Sequence, residues 1–327
     1  MMASPNFALR TEADPRGLLN RYMLPKVAMV VISIAAAVGT VLTTVVASSM
    51  GWVGAGGSYA YLMGVGIAFG GLIWRWQVVA PAGRMVGTQD ATRYVTREVA
   101  RFERIELPLG IAALVGLAIL TPSYWSVVGA QVAAEHAALF LAYAFLALWA
   151  VLAVRRRHGH DTRSVQALST VTLGLLLVTQ AFLQVGHDMP GDVWLFALRS
   201  VHLLAFGAWL GGAVWNVFIA VGTAREDLNM TAVIVANAQL ERFRWIVRTA
   251  FPTIVLTGLL QAQVFLGLNV ASLWQTTFGL FVLAKLALVA LLLGVFITCP
   301  MWHACSPIAG MCDLGDLERD SARSPAS

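Results

Sequence analysis

Eight long apolar stretches alternate with short polar ones along the 327 residues, at about 24–48, 58–80, 105–122, 134–154, 165–186, 193–221, 246–268 and 275–299. Most reach the ~20 apolar residues that a helix needs to cross a bilayer. A single segment of that length can close its own backbone hydrogen bonds in hydrocarbon only as a helix. The pattern therefore predicts an all-α integral membrane protein with eight transmembrane helices. Two longer polar connections, 75–104 and 222–245, carry stretches of helical spacing such as Ala91 to Glu103, which predict short amphipathic helices at the interface.

Composition sharpens this picture. Hydrophobic residues make up 58% of the chain and charged residues 12%, against about 25% charged in an average soluble domain. Of the 22 Lys and Arg residues, none falls in the connections near 49–57, 123–133, 187–192 or 269–274. All but Arg199 and Lys285 lie in the N-terminal arm, 75–104, 155–163, 225–248 or the tail. Basic loops stay cytoplasmic, so both termini are expected inside and His187 outside. The net charge of +5 then reports topology, with no nucleic-acid partner implied. Met1 to Lys26 lacks the shape of a cleavable signal, and the first span is expected to remain.

The chain repeats itself. A shift of 141 residues lays Tyr61 on His202, Phe69-Gly70-Gly71 on Leu210-Gly211-Gly212, Trp74 on Trp215, Arg101-Phe102 on Arg242-Phe243, and Phe140 on Phe281. The expectation is two parallel four-helix halves (4+4). They follow an N-terminal arm (1–23), with a scaffold half at 24–154, a linker at 155–163, a second half at 164–304 and a polar, disordered tail at 305–327. The unusual polar groups sit in the second half: Ser58 faces Arg199 in this register, Tyr61 faces His202 and Ala144 faces Lys285.

Candidate chemistry clusters around the run GHDMPGDVWLFALRSVHLLAFGAWLGG, Gly186 to Gly212. His187 is followed by Asp188, Met189 and Asp192, while Met50 and the Glu135-His136 pair belong to the same outer side. Imidazole and thioether suit copper, with Met selecting Cu(I). His202 lies about nine residues into its span, roughly 13 Å below the outer end at 1.5 Å per residue. Arg199, three residues earlier, shares its helix face and favours the neutral, metal-binding imidazole; a histidine bonded to a neighbouring helix is the ordinary alternative. Lys285 is near the middle of the eighth span, where charge costs about 2.5–3.5 kcal/mol, with Gln180, Gln184, Gln261 and Gln263 as polar company. At the inner end, Cys299, Met301, His303 and Cys305 could ligate a soft metal, or could be incidental residues at a helix end. No hydrolase or transferase constellation appears, so no enzyme is expected.

The Gly-His turn, the His-Leu-Leu start with its later Trp-Leu-Gly-Gly, the run LERFRWIVRTAFPTIVLTGLLQAQ and the lysine of FGLFVLAKLALVALLLGVF resemble the membrane domain of the CopD copper-resistance family, which includes YcnJ-type proteins. The resemblance is strongest over about 165–298. It implies an inner-membrane protein of bacteria or archaea that moves copper from periplasm to cytoplasm, with His187 and His202 at the family's Gly-His and His-Leu-Leu positions. No Met-rich or chaperone-like periplasmic domain is fused to this chain, so a separate periplasmic copper donor or redox partner is expected. Copper would pass from His187 and Met189 to His202, then past Lys285 toward the cysteine-rich end. The competing expectation is a membrane cytochrome subunit in which His136 and His202 hold haem b.

Overall fold

The computed structural model describes residues 15–48, 50–126, 132–226 and 230–298. Among these residues there is no strand, and eight helical segments are long and apolar enough to cross a membrane. The first is α1 (Pro15–Val41), which continues into wide π turns at Leu42–Ala47. Next come α2 (Gly51–Trp74), with π turns at Arg75–Val79, the short α3 (Ala80–Val86), α4 (Gln89–Trp125) and α5 (Val132–Arg157). The second half runs through α6 (Arg163–Asp188), α7 (Val193–Val214) with π turns at Trp215–Ala220, α8 (Val221–Glu226), α9 (Met230–Leu266), α10 (Ser272–Gln275) and α11 (Thr277–Thr298).

The long connections depart from expectation. α4 and α9 have 37 residues each, about 55 Å at 1.5 Å per residue against a hydrocarbon core of about 30 Å. The amphipathic stretches are thus upright extensions of the third and seventh spans. Gly87, with φ of +66°, turns the chain after α3, and the Thr88 side chain accepts from the Ala91 amide to start α4. The extensions persist because they pack on each other: Ala91 and Tyr94 are buried with Ala232, Val235 and Ala236, and the Tyr94 hydroxyl donates to the Ala220 carbonyl at 3.0 Å.

At the centre, α2 and α7 cross backbone to backbone. A Cβ on Gly66 would lie 3.6 Å from the Gly207 Cα, and one on Gly70 or Gly211 would overlap the other helix's main chain. Small residues at such a seam let helices gain close packing where no hydrophobic drive exists between them. Around it, residues in matching positions exchange partners. Trp74 meets Phe243 edge-on at 5.6 Å, and Phe102 meets Trp215 at 5.1 Å. Gln239 donates to Glu98, 141 residues away, at 2.8 Å. At the arginine-rich end, Arg75 is held by Glu103 (3.1 Å) and Asp161 (2.5 Å), and buried Arg156 by Glu106 (2.5 Å).

Candidate functional site

At the opposite end, marked by His187, a line of polar side chains descends between α1, α7, α9 and α11. It begins where the Ser48 hydroxyl donates to Asp188, the last residue of α6. Asp188 takes an ion pair from Arg199 at 2.9 Å, both side chains being almost wholly buried. The Arg199 Nε reaches Gln261 at 3.4 Å, and the Gln261 amide donates to the Thr257 carbonyl at 3.1 Å. About one turn below Arg199 on α7, His202 places Nδ1 3.0 Å from the Thr257 hydroxyl. That hydroxyl gives its hydrogen to the Thr253 carbonyl at 2.6 Å, so it is the acceptor for His202. With its hydrogen given to that carbonyl, the hydroxyl can accept from an Nδ1–H, the tautomer that leaves the Nε2 lone pair for a ligand.

The His202 side chain borders open space. Two adjoining cavities of about 100 and 120 Å³ share His202, Arg199, Gln261, Lys285, Gly39 and Thr43 among their walls. Each exceeds several times the roughly 10–15 Å³ that one water requires. Two glycines make this room: a Cβ on Gly258 would lie 3.4 Å from the His202 Cε1, and one on Gly39 would lie 3.0 Å from the Lys285 Nζ. Lys285 has no carboxylate within ion-pair distance among the described residues. Deeper along α7, Met63, Trp209, Phe251 and Leu292 line the larger cavity and are apolar.

The expected ligands do not converge. His187 turns toward Tyr124, ring to ring at 6.5 Å, and stands 3.8 Å from Asp188, whereas His202 faces Thr257 and the cavity. Arg199 shares the cavity walls with His202, as its helix spacing led one to expect, and bonds Asp188 and Gln261 as well. His136 stacks on Trp125 at 3.9 Å with a ring nitrogen 3.3 Å from that residue's carbonyl; the haem reading with His136 and His202 finds no support. Met50 packs on the central core near the start of α2, and Met189 ends α6. Asp192 is an N-cap, accepting from the Leu195 amide at 2.9 Å. Of the four glutamines expected near Lys285, Gln261 and Gln184 line the cavities with it, Gln180 donates to Tyr124 at 3.1 Å, and Gln263 is exposed. Cys299, Met301, His303 and Cys305 lie outside the described residues. Among those described, no three His, Cys, Asp or Glu side chains form a preformed metal cage. Sequence reasoning missed Thr257, Gly258, Gly39 and Met63; aligning the halves position by position would have exposed the two glycines.

Residues 237–304 match the family model for Copper resistance protein D. No curated protein and no solved structure matches the chain. The match supports the resemblance read from the sequence, that of a CopD copper-resistance family membrane protein. It also falls on the site: Thr257, Gly258, Gln261 and Lys285 all belong to the matched stretch.

Proposed function

We propose, from a multi-pass membrane protein with a CopD match across its last two spans, that the chain carries copper across the membrane and does no chemistry on it. The observation that carries this reading is the His202 imidazole, its Nδ1 committed to Thr257, fronting a cavity walled by the matched helices. Copper is the cargo. Imidazole with the Met63 thioether of the same cavity makes a soft set that suits Cu(I), and the apolar lining strips the ion of water. Lys285, lacking a carboxylate, opposes a second cation at that depth, which favours passage over storage. The asymmetric distribution of basic residues orients the His187 end toward the periplasm of a bacterial or archaeal inner membrane and the arginine-rich end toward the cytoplasm. Flow runs inward, from a periplasmic donor protein, and is driven by a gradient.

Whole-cell copper content tests this. Deleting the gene should lower it and the wild-type gene should restore it, while His202→Ala expressed to the same level should leave the deletion value. Equal recovery by both genes would remove His202 from the pathway and this reading with it.

A further inference from the structure

On the far side of Asp188 from the cavities, three buried polar atoms have no hydrogen-bond partner: both carboxylate oxygens of Glu135 and the Nδ1 of His187. Glu135, in the first turn of α5, is 0% exposed. Its carboxylate rests on Gly186, where a Cβ would come within 2.8 Å of Oε1. Gly186, the residue before His187, therefore makes room for the carboxylate. Of the neighbouring groups, the Tyr124 hydroxyl accepts from Gln180, Arg199 is paired with the Oδ2 of Asp188, and His136 is stacked on Trp125; none of them bonds Glu135. The Oδ1 of Asp188 is held by Ser48 and stands 3.8 Å from the His187 Nδ1.

Buried acceptors without partners are costly unless something fills the gap. A proton satisfies one of the three atoms. A hydrated divalent cation can take one carboxylate oxygen and the imidazole lone pair, and donate a water hydrogen to the remaining oxygen. Imidazole nitrogen with carboxylate oxygen suits a divalent transition metal, whereas soft monovalent copper prefers thiolate and thioether. We propose that Glu135 and His187 form a binding site for a divalent transition-metal cation, distinct from the His202 cavity, with the Asp188 carboxylate next to it. Two protein ligands completed by water give an exchangeable site, suited to capture at the membrane surface. The site stands independently of whether His202 carries copper.

The probe is Cu(II), titrated into the purified full-length chain with His136→Ala, His158→Ala, His160→Ala and His303→Ala, which leaves His187 and His202 as the imidazoles present. One saturable Cu(II) with nitrogen hyperfine structure in its electron paramagnetic resonance spectrum is expected. Glu135→Gln should weaken it at least tenfold, His187→Gln should also abolish the nitrogen coupling, and His202→Ala should leave both unchanged. Undiminished binding in Glu135→Gln, or no saturable binding in the parent, would overturn the proposal; the latter would leave the carboxylate as a proton site. Should Glu135→Gln fail to fold, competition on the parent decides. Zn(II) should displace the bound Cu(II) while Ag(I), a stand-in for Cu(I), should not, and displacement by Ag(I) would refute a divalent site.

Discussion

The two flanks of the α2–α7 seam share a frame and differ in what fills it. On the first-half side Tyr61 is wholly buried in one core cluster with Leu117 and donates to the Leu176 carbonyl at 3.1 Å, while buried Gln180 donates to Tyr124. The matching positions on the other side are His202, Gly258 and Gly39, and there the cavities open. Ser58 and Ala144 likewise give way to Arg199 and Lys285. The space opens where glycine stands at the positions matched in sequence to Leu117 and Gln180. The contrast assigns strength to one flank and chemistry to the other.

The largest effect that would sharpen this contrast comes from Arg199→Met. It leaves the Asp188 carboxylate buried with only Ser48 and, at 3.8 Å, the His187 imidazole beside it, and breaking such a pair costs about 3–5 kcal/mol. The thermal unfolding midpoint in detergent should fall steeply, and Asp188→Asn added to it should recover most of the loss; no recovery would mean that the pair is not the reason these residues are there.

Exchange across the seam comes next. Leu117→Ala cuts into the closed flank and should cost about 2–5 kcal/mol by leaving a cavity, measured by the same unfolding assay. Its converse, Gly258→Leu, fills the open flank against His202. That variant should lose only about 1–3 kcal/mol of stability, the usual range for overpacking, yet drop cellular copper to the deletion level. Normal copper content in a well-folded Gly258→Leu protein would show that the cavity is not the passage.

The smallest effect tests the equivalence of the halves. Phe102→Leu and Phe243→Leu each remove an aromatic contact with a buried tryptophan, worth about 0.5–1.5 kcal/mol beyond area. The two losses should agree. A severalfold difference would say that the exchanged ring pairs, although matched in position, do not share one packing role.

Some of the site was legible from the chain alone. Arg199, His202 and Lys285 announced themselves because polar groups in an apolar run must have a reason to be there, and all three line the same space. Helical spacing placed Arg199 above His202 correctly, but it could not say that the guanidinium turns to Asp188. Nor could it show that His187 turns away toward Tyr124, because two imidazoles fifteen positions apart on different helices meet only if the helices' rotations agree. Glu135 passed as a neighbour of His136, since burial of a residue at a helix start depends on what packs over it. Thr257 and Gly258 were invisible for a related reason: a hydroxyl and a missing side chain gain meaning only opposite a particular ring.

Hydropathy by itself determined the eight helices, because a bilayer imposes length and apolarity on each segment separately. The rotation of each helix, the close approach at Gly70 and Gly211, the exchanged Trp and Phe partners and the opening before His202 were decided only by the assembled bundle. Those features come from van der Waals fit and hydrogen bonding between segments far apart in the chain, and no local pattern encodes such a fit.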